Sequence, residues 1–281
     1  MRKIILFFTV CWLATYFNYG QNTTEKISTS AKNVSILKKE FIIPALNSIS
    51  HKIWVYLPPN YDNNSKKYSV IYMHDGQNLF DNATSYIGEW EVDETLNNLY
   101  KTTGKGFIVV GIENGGEERI NEYTPWKHEK YGGGKGAIYI DFIVQTLKPY
   151  IDATYRTKKQ AKYTGLIGSS LGGLISYYGG LKYPTVFGKI GALSTSFWFS
   201  SEVENFTKQN AQTKQVKLFL LVGGKEGENM VLDTQKTEKL LLETGFKQKY
   251  LKTKINPNGN HNEAFWKSEF LEIVTWLYNI K

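Results

Sequence analysis

Four short apolar runs punctuate the chain: YSVIYM (68–73), GFIVVGI (106–112), YTGLIG (163–168) and VKLFLLVG (216–223). Their apolar positions are near-continuous rather than alternating, which predicts strands buried on both faces, as in a parallel sheet. Helical spacing appears between and after them. Ile140, Ile143, Val144, Leu147 and Ile151 form one stripe, and Trp266, Phe270, Ile273, Val274 and Leu277 form another near the C-terminus. Helices are also predicted near 90–100, 171–183 and 230–244, the last closed by Gly245. A strand ending near Leu193 and another at about 248–255 complete the series.

Strand and helix alternate from about residue 68 onward, which predicts an α/β fold: a doubly wound, mostly parallel sheet with helices on both faces. Upstream, FIIPAL and HKIWVYLP read as one or two antiparallel strands leading into that sheet. No repeat or Pro- or Ser-rich linker divides the chain, so residues 21–281 are expected to form one domain.

The first twenty residues differ in pattern. Arg2 and Lys3 precede an uncharged apolar run from Ile4 to Phe17, too short to span a bilayer comfortably and followed by polar sequence. A signal peptide over 1–20 is expected, with cleavage near Gly20 and Gln21 and export to the periplasm or outside the cell. An uncleaved anchor is the alternative. Cys11, the sole cysteine, would leave with the leader, so neither a disulfide framework nor cysteine chemistry is expected. No later segment is apolar enough to cross a membrane, so no stable insertion is expected once the leader is gone. The net charge of +8 comes from lysines that look scattered in sequence, which argues for a solvated surface and against nucleic acid as a partner.

Candidate chemistry lies in LIGSSLGGL (166–174), where a buried strand runs into a helix. A nucleophile on such a strained turn needs small residues two positions to either side. Ser170 has Gly168 and Gly172 there, whereas Ser169 would have Ile167 and Leu171. Ser170 is therefore the candidate nucleophile; the alternative is a plain structural turn. In the order serine, acid, histidine, His261 is the only histidine after Ser170 and becomes the candidate base. The orienting carboxylate should follow a strand, as Glu226 does just past VKLFLLVG. Asp233, in the first turns of the next helix, is the second choice. An oxyanion would need two backbone N–H donors: Leu171 at the helix start, and Gln77 in YMHDGQNLF, where Gly76 permits close approach. A simple Asp-Gly turn would also account for the latter stretch.

These residues together resemble the "Putative esterase" family of α/β-hydrolases, which includes feruloyl and acetyl-xylan esterases, siderophore trilactone esterases and S-formylglutathione hydrolases. The resemblance spans about residues 50–280 and rests on MHDGQNLFD (73–81), WEVDETL (90–96), EYTPW (122–126), GSSLGGL (168–174), GGKE (223–226) and GNHNEAFW (259–266). It implies an α/β-hydrolase fold with Ser170 as nucleophile, Glu226 as acid and His261 as base. Many members carry Asp where this chain has Glu226. It also implies a two-step acyl transfer that needs no cofactor and no metal. The chain lacks HExxH, and GGGKG (132–136) lacks the spacing of a phosphate-binding loop.

The substrate is expected to be a small-molecule or polysaccharide-linked ester. Tyr123, Trp126, Phe197 and Trp198 lie in loops expected at the sheet edge beside Ser170, where aromatics would suit an aromatic acyl group or a sugar face. Basic residues in the same loop, Arg119, Lys127, His128, Lys130 and Lys135, would instead suit an anionic substrate such as a siderophore trilactone. An acyltransferase and a non-catalytic binding protein on a hydrolase scaffold are the remaining alternatives; the presence of Ser170, His261 and Glu226 together disfavours the last.

Overall fold

The computed structural model describes residues 26–212 and 216–280. The leader at 1–20, with its cleavage site and Cys11, lies outside the described residues.

In chain order the strands are β1 (Val34–Ile36), β2 (Phe41–Ile42), β3 (Ser50–His51), β4 (Ile53–Tyr56), β5 (Ser69–Met73), β6 (Phe107–Ile112), β7 (Lys127–His128), β8 (Gly132–Gly133), β9 (Thr164–Ser169), β10 (Lys189–Leu193), β11 (Lys217–Gly223) and β12 (Leu251–Asn256). The helices are α1 (Val92–Thr103), α2 (Arg119–Tyr123), α3 (Gly136–Phe142), α4 (Lys148–Thr154), α5 (Leu171–Lys182), α6 (Glu202–Asn210), α7 (Glu228–Glu243) and α8 (Glu263–Tyr278). Eight strands form one sheet in the order β1-β4-β6-β5-β9-β10-β11-β12. From β6 to β12 every pairing is parallel, and β4 and β1 extend the edge antiparallel. This is the α/β-hydrolase arrangement.

Each of the four apolar runs is a strand, and β5, β6, β9 and β11 are buried along their whole length. Two separate clusters of buried apolar residues account for that continuity. One contains Val70, Tyr72, Ile108, Val110, Leu166, Leu218 and Leu220; the other contains Ile71, Met73, Val109, Ile167, Phe219 and Leu221. Alternate residues of each strand thus serve opposite layers.

Local differences from the sequence expectation have local causes. FIIPAL does not lead into the main sheet: β2 pairs with β3 in a ribbon of its own, and only HKIWVYLP contributes β4. The Ile140 stripe is a helix interrupted by a wide π turn over Ile143–Leu147, just before Pro149, which has no N–H for a regular ladder. Its core face is intact, since Ile140, Ile143, Leu147 and Ile151 are fully buried. The lysines that look scattered in sequence are partly gathered in space. Lys66, Lys67, Lys105, Lys158, Lys162 and Lys189 line a cleft of about 450 Å³ at the N-terminal ends of the parallel strands. Among the described residues, no helix is long and apolar enough to cross a membrane.

Candidate active site

Five segments meet at the C-terminal ends of the parallel strands: those after β5, β9, β10, β11 and β12. Ser170 follows β9 with φ 58° and ψ −122°, a conformation that L side chains rarely adopt. Three backbone hydrogen bonds clamp it: its N–H donates to Leu193 O at 2.9 Å, and its C=O accepts from Leu174 N at 3.1 Å and from Ser196 N at 3.2 Å. The turn is tight on one side only. A Cβ on Gly168 would lie 2.5 Å from the Gly172 carbonyl oxygen, whereas a Cβ on Gly172 would meet nothing nearer than 3.4 Å. Small residues are expected at both positions, but the packing demands the glycine chiefly at 168. Ser169, the other serine, ends β9 paired with Leu193 and is buried.

Glu226 lies three residues past β11 with its side chain fully buried, and its Oε2 is 2.8 Å from His261 Nδ1. Oε1 accepts from Ser194 Oγ at 2.6 Å and from the Gly223 N–H at 2.7 Å. Ser194 Oγ in turn accepts from Trp266 Nε1 at 2.7 Å, and the Trp266 ring stands edge-on to the His261 imidazole at 5.2 Å. A chain of donors thus runs from the last helix through Ser194 into the carboxylate. His261 keeps 39% of its side chain exposed. Ser170 Oγ rests 3.3 Å from Ser196 Oγ. Asp233 is elsewhere: it pairs with Lys236 at 3.7 Å on the wall of a separate cleft between α6 and α7.

Leu171 opens α5, and Gln77 sits in a single 3₁₀ turn over Gly76–Asn78. Among the described residues, neither backbone N–H donates to a protein acceptor. Gly76 packs so closely on β6 that a Cβ there would lie 2.7 Å from the Gly111 carbonyl carbon. This turn is held from below. Asp75, itself left-handed at φ 55°, receives Arg119 through two bonds of 2.7 and 2.9 Å and Asn114 Nδ2 at 2.6 Å. Burial works against ionisation of Asp75, but the Arg119 charge and these hydrogen bonds hold its carboxyl below the usual range. Tyr123 Oη accepts from the Asp75 N–H at 3.0 Å. Neighbouring His74 is buried, bonded through Nδ1 to Tyr139 Oη at 3.0 Å, and burial pushes its pKa down to about 3.

The aromatic expectations divide. Tyr123 is wholly buried and props the Asp75 turn, so it offers no face to a substrate. Phe197 is likewise buried, edge-on to Tyr177 at 5.2 Å. Trp126 packs against Tyr178 and Phe206. Trp198 alone of the four is exposed, at 49%, beside Tyr131 at 6.0 Å and His128 at 6.4 Å. Arg119, counted among the basic residues open to an anion, is committed to Asp75. Residues that sequence reasoning missed are Ser194, Ser196 and the Asp75–Arg119 pair. Arg119 lies in a loop read only as basic, and LSTSF carried no signal beyond following a strand.

Residues 47–277 match the family described as "Putative esterase", and the chain belongs to that family. It is similar to "Uncharacterized protein YbbA" of Bacillus subtilis (strain 168), 29% identical over 242 residues, covering 82% of this chain and 93% of that protein. Among solved structures it resembles a ferulic acid esterase, with a TM-score of 0.65 and 16% identity over 88% of this chain and 98% of the other. It also resembles the enterobactin esterase FES from Shigella flexneri, solved in the presence of enterobactin, with a TM-score of 0.67 and 16% identity over 89% of this chain and 60% of the other. At such identities the likeness of the structures establishes the shared fold.

Proposed function

We propose that the protein hydrolyses carboxylic esters with Ser170 as nucleophile, His261 as general base and acid, and Glu226 as the carboxylate that orients the imidazole. The observation that carries this reading is that the strained Ser170 turn and the 2.8 Å contact of Glu226 with His261 Nδ1 lie at the same C-terminal edge of the parallel sheet. With Nδ1 so held, the other imidazole nitrogen is the one left for the serine proton. The Ser170 hydroxyl, now on Ser196, would exchange that contact for the imidazole when substrate binds, since such bonds often tighten only in the complex.

Ser170 Oγ attacks the ester carbonyl as His261 takes its proton, and the C=O electrons move onto oxygen. The free N–H groups of Leu171 and Gln77 receive that oxyanion. Collapse breaks the bond to the alcohol, which leaves with the proton from His261. Water, deprotonated by the same imidazole, then releases the acid and restores Ser170.

For substrate, the cluster of exposed Trp198 and Tyr131 with half-buried His128 supports an ester of an aromatic acid or of a carbohydrate. Trp198 lies two residues from Ser196, whose hydroxyl is 3.3 Å from Ser170 Oγ. A siderophore trilactone is the second reading, favoured by the exposed Lys127 and Lys130 on the same loop and by the enterobactin esterase likeness. The leader supports export before the enzyme acts.

Purified protein should cleave short p-nitrophenyl esters and be labelled by a fluorophosphonate, and Ser170→Ala should lose both. Equal activity in the two, or no activity together with no labelling, would sink the reading. A panel of feruloylated and acetylated xylan fragments and a catecholate trilactone separates the substrate classes. Mass spectrometry of the N-terminus after expression in an exporting host tests cleavage near Gly20.

A further inference from the structure

A second group of carboxylates lies outside this machinery. Glu89, Asp93 and Glu94 occupy the start of α1 and the turn before it, and each offers a carboxylate oxygen within 4.8 Å of the others. Asp93 is fully buried. One oxygen from each, Glu89 Oε1, Asp93 Oδ1 and Glu94 Oε2, is buried without a hydrogen-bond partner among the described residues. No Lys or Arg among those residues pairs with any of the three; the nearby Lys267 pairs with Glu91 instead, at 2.9 Å. Three converging carboxylates without a counter-charge repel one another, and orphaned buried oxygens are costly. The N-terminus of α1 offsets part of this charge but supplies no donor to the three oxygens.

We propose that Glu89, Asp93 and Glu94 hold a divalent cation, with calcium the best chemical fit. The ligands are all hard oxygens, which excludes a preference for soft metals. Calcium–oxygen distances of about 2.3–2.6 Å allow ligand oxygens up to about 5 Å apart around one ion, and the observed span falls inside that limit. A cation would relieve the repulsion among the three converging carboxylates.

The remaining oxygens of the cluster already anchor an otherwise irregular segment. Glu89 Oε2 accepts from Thr29 Oγ1 at 2.7 Å, and Asp93 Oδ2 accepts from the Ala31 N–H at 2.7 Å. An ion here would therefore tie residues 29–31 to α1. It would also fix Trp90, whose ring packs 5.7 Å from Trp266, the residue that donates to Ser194. The role is structural, and it stands whether or not Ser170 is the nucleophile.

Chelator-treated protein titrated with calcium chloride in a calorimeter should bind one ion. At calcium about 100-fold above Kd the unfolding midpoint should rise by roughly 5–10 °C. Asp93→Asn and Glu94→Gln should each weaken binding at least roughly tenfold while leaving ester hydrolysis unchanged at saturating calcium. If Asp93→Asn fails to fold, the half-exposed Glu94→Gln decides alone. Absence of heat and of any midpoint shift with calcium, magnesium or manganese overturns the proposal, as does equal binding by the folded variants. Stabilisation on acidification from pH 8 to 5 with no response to metal also overturns it, since two of the carboxylates would then share a proton.

Discussion

Glu226 divides its two oxygens between His261 and Ser194: Oε2 lies 2.8 Å from the imidazole Nδ1, and Oε1 accepts from the Ser194 hydroxyl at 2.6 Å. A carboxylate held from both sides, with its own side chain buried, cannot swing away from the ring it orients. Glu226→Ala is therefore expected to lower kcat by about 10³–10⁴-fold. Asp233→Ala, in a different cleft, should change it by less than roughly twofold. Steady-state kinetics on one p-nitrophenyl ester compares the two, and the reverse order would reject Glu226 as the acid.

Ser194 is the unforeseen member of that arrangement. Ser194→Ala removes the hydroxyl joining Trp266 Nε1 to Glu226, leaving a buried N–H unpaired and Oε1 of the carboxylate with only the Gly223 N–H. The expected cost is about 1–3 kcal/mol of stability, read from denaturant unfolding. A fall in kcat with little change in KM should accompany it, since substrate contacts are untouched.

The two glycines around Ser170 should respond differently. Gly168→Ala drives a methyl into the Gly172 carbonyl and must displace the strained turn, so soluble protein or activity should be lost. Gly172→Ala places its methyl at ordinary contact distance from Asp75 and His74 and should fold. Fluorophosphonate labelling of both variants makes the comparison.

Acid should weaken the fold through His74. Burial depresses its pKa to about 3, against about 6.5 when unfolded, so below 6.5 the unfolded chain binds a proton that the folded chain does not. Its contribution is complete above about pH 6.5 and shrinks as pH falls toward 3, each unit of the gap being worth about 1.4 kcal/mol. The buried His51 has the opposite sign. Burial opposes its charge, but Glu122, 2.6 Å away, raises its pKa, so that contribution is present at low pH and lost as pH rises through the folded value. Unfolding measured from pH 8 to 4 should show a shallower acid loss in His74→Leu than in wild type. An unchanged slope would reject this account.

Trp198→Ala should raise KM about tenfold for esters of aromatic acids and leave acetyl esters nearly unaffected, because the exposed ring offers a face only to an extended acyl or sugar group. A parallel loss for both would point to a packing role.

How much was legible beforehand follows from what is local. Apolar continuity in 68–73, 106–112, 163–168 and 216–223 identified buried parallel strands, because a strand covered on both faces has no polar side to display. Glycine spacing singled out Ser170 over Ser169, because steric room at a sharp turn is a property of its immediate neighbours. Glu226 against Asp233 remained a ranking. That choice depends on where β11 and β12 end relative to each other, and only their pairing, with Gly223 opposite Asn256, brings Glu226 to the His261 loop. The aromatic loop was the least legible part. Tyr123, Trp126, Phe197 and Trp198 have similar chemistry in sequence, yet three pack inward and one faces solvent. Sequence by itself determined the elements, their layering and the sharp turn that carries Ser170; the tertiary structure decided which carboxylate reaches His261, its Ser194 support and the exposed ring, because each depends on contacts between residues far apart in the chain.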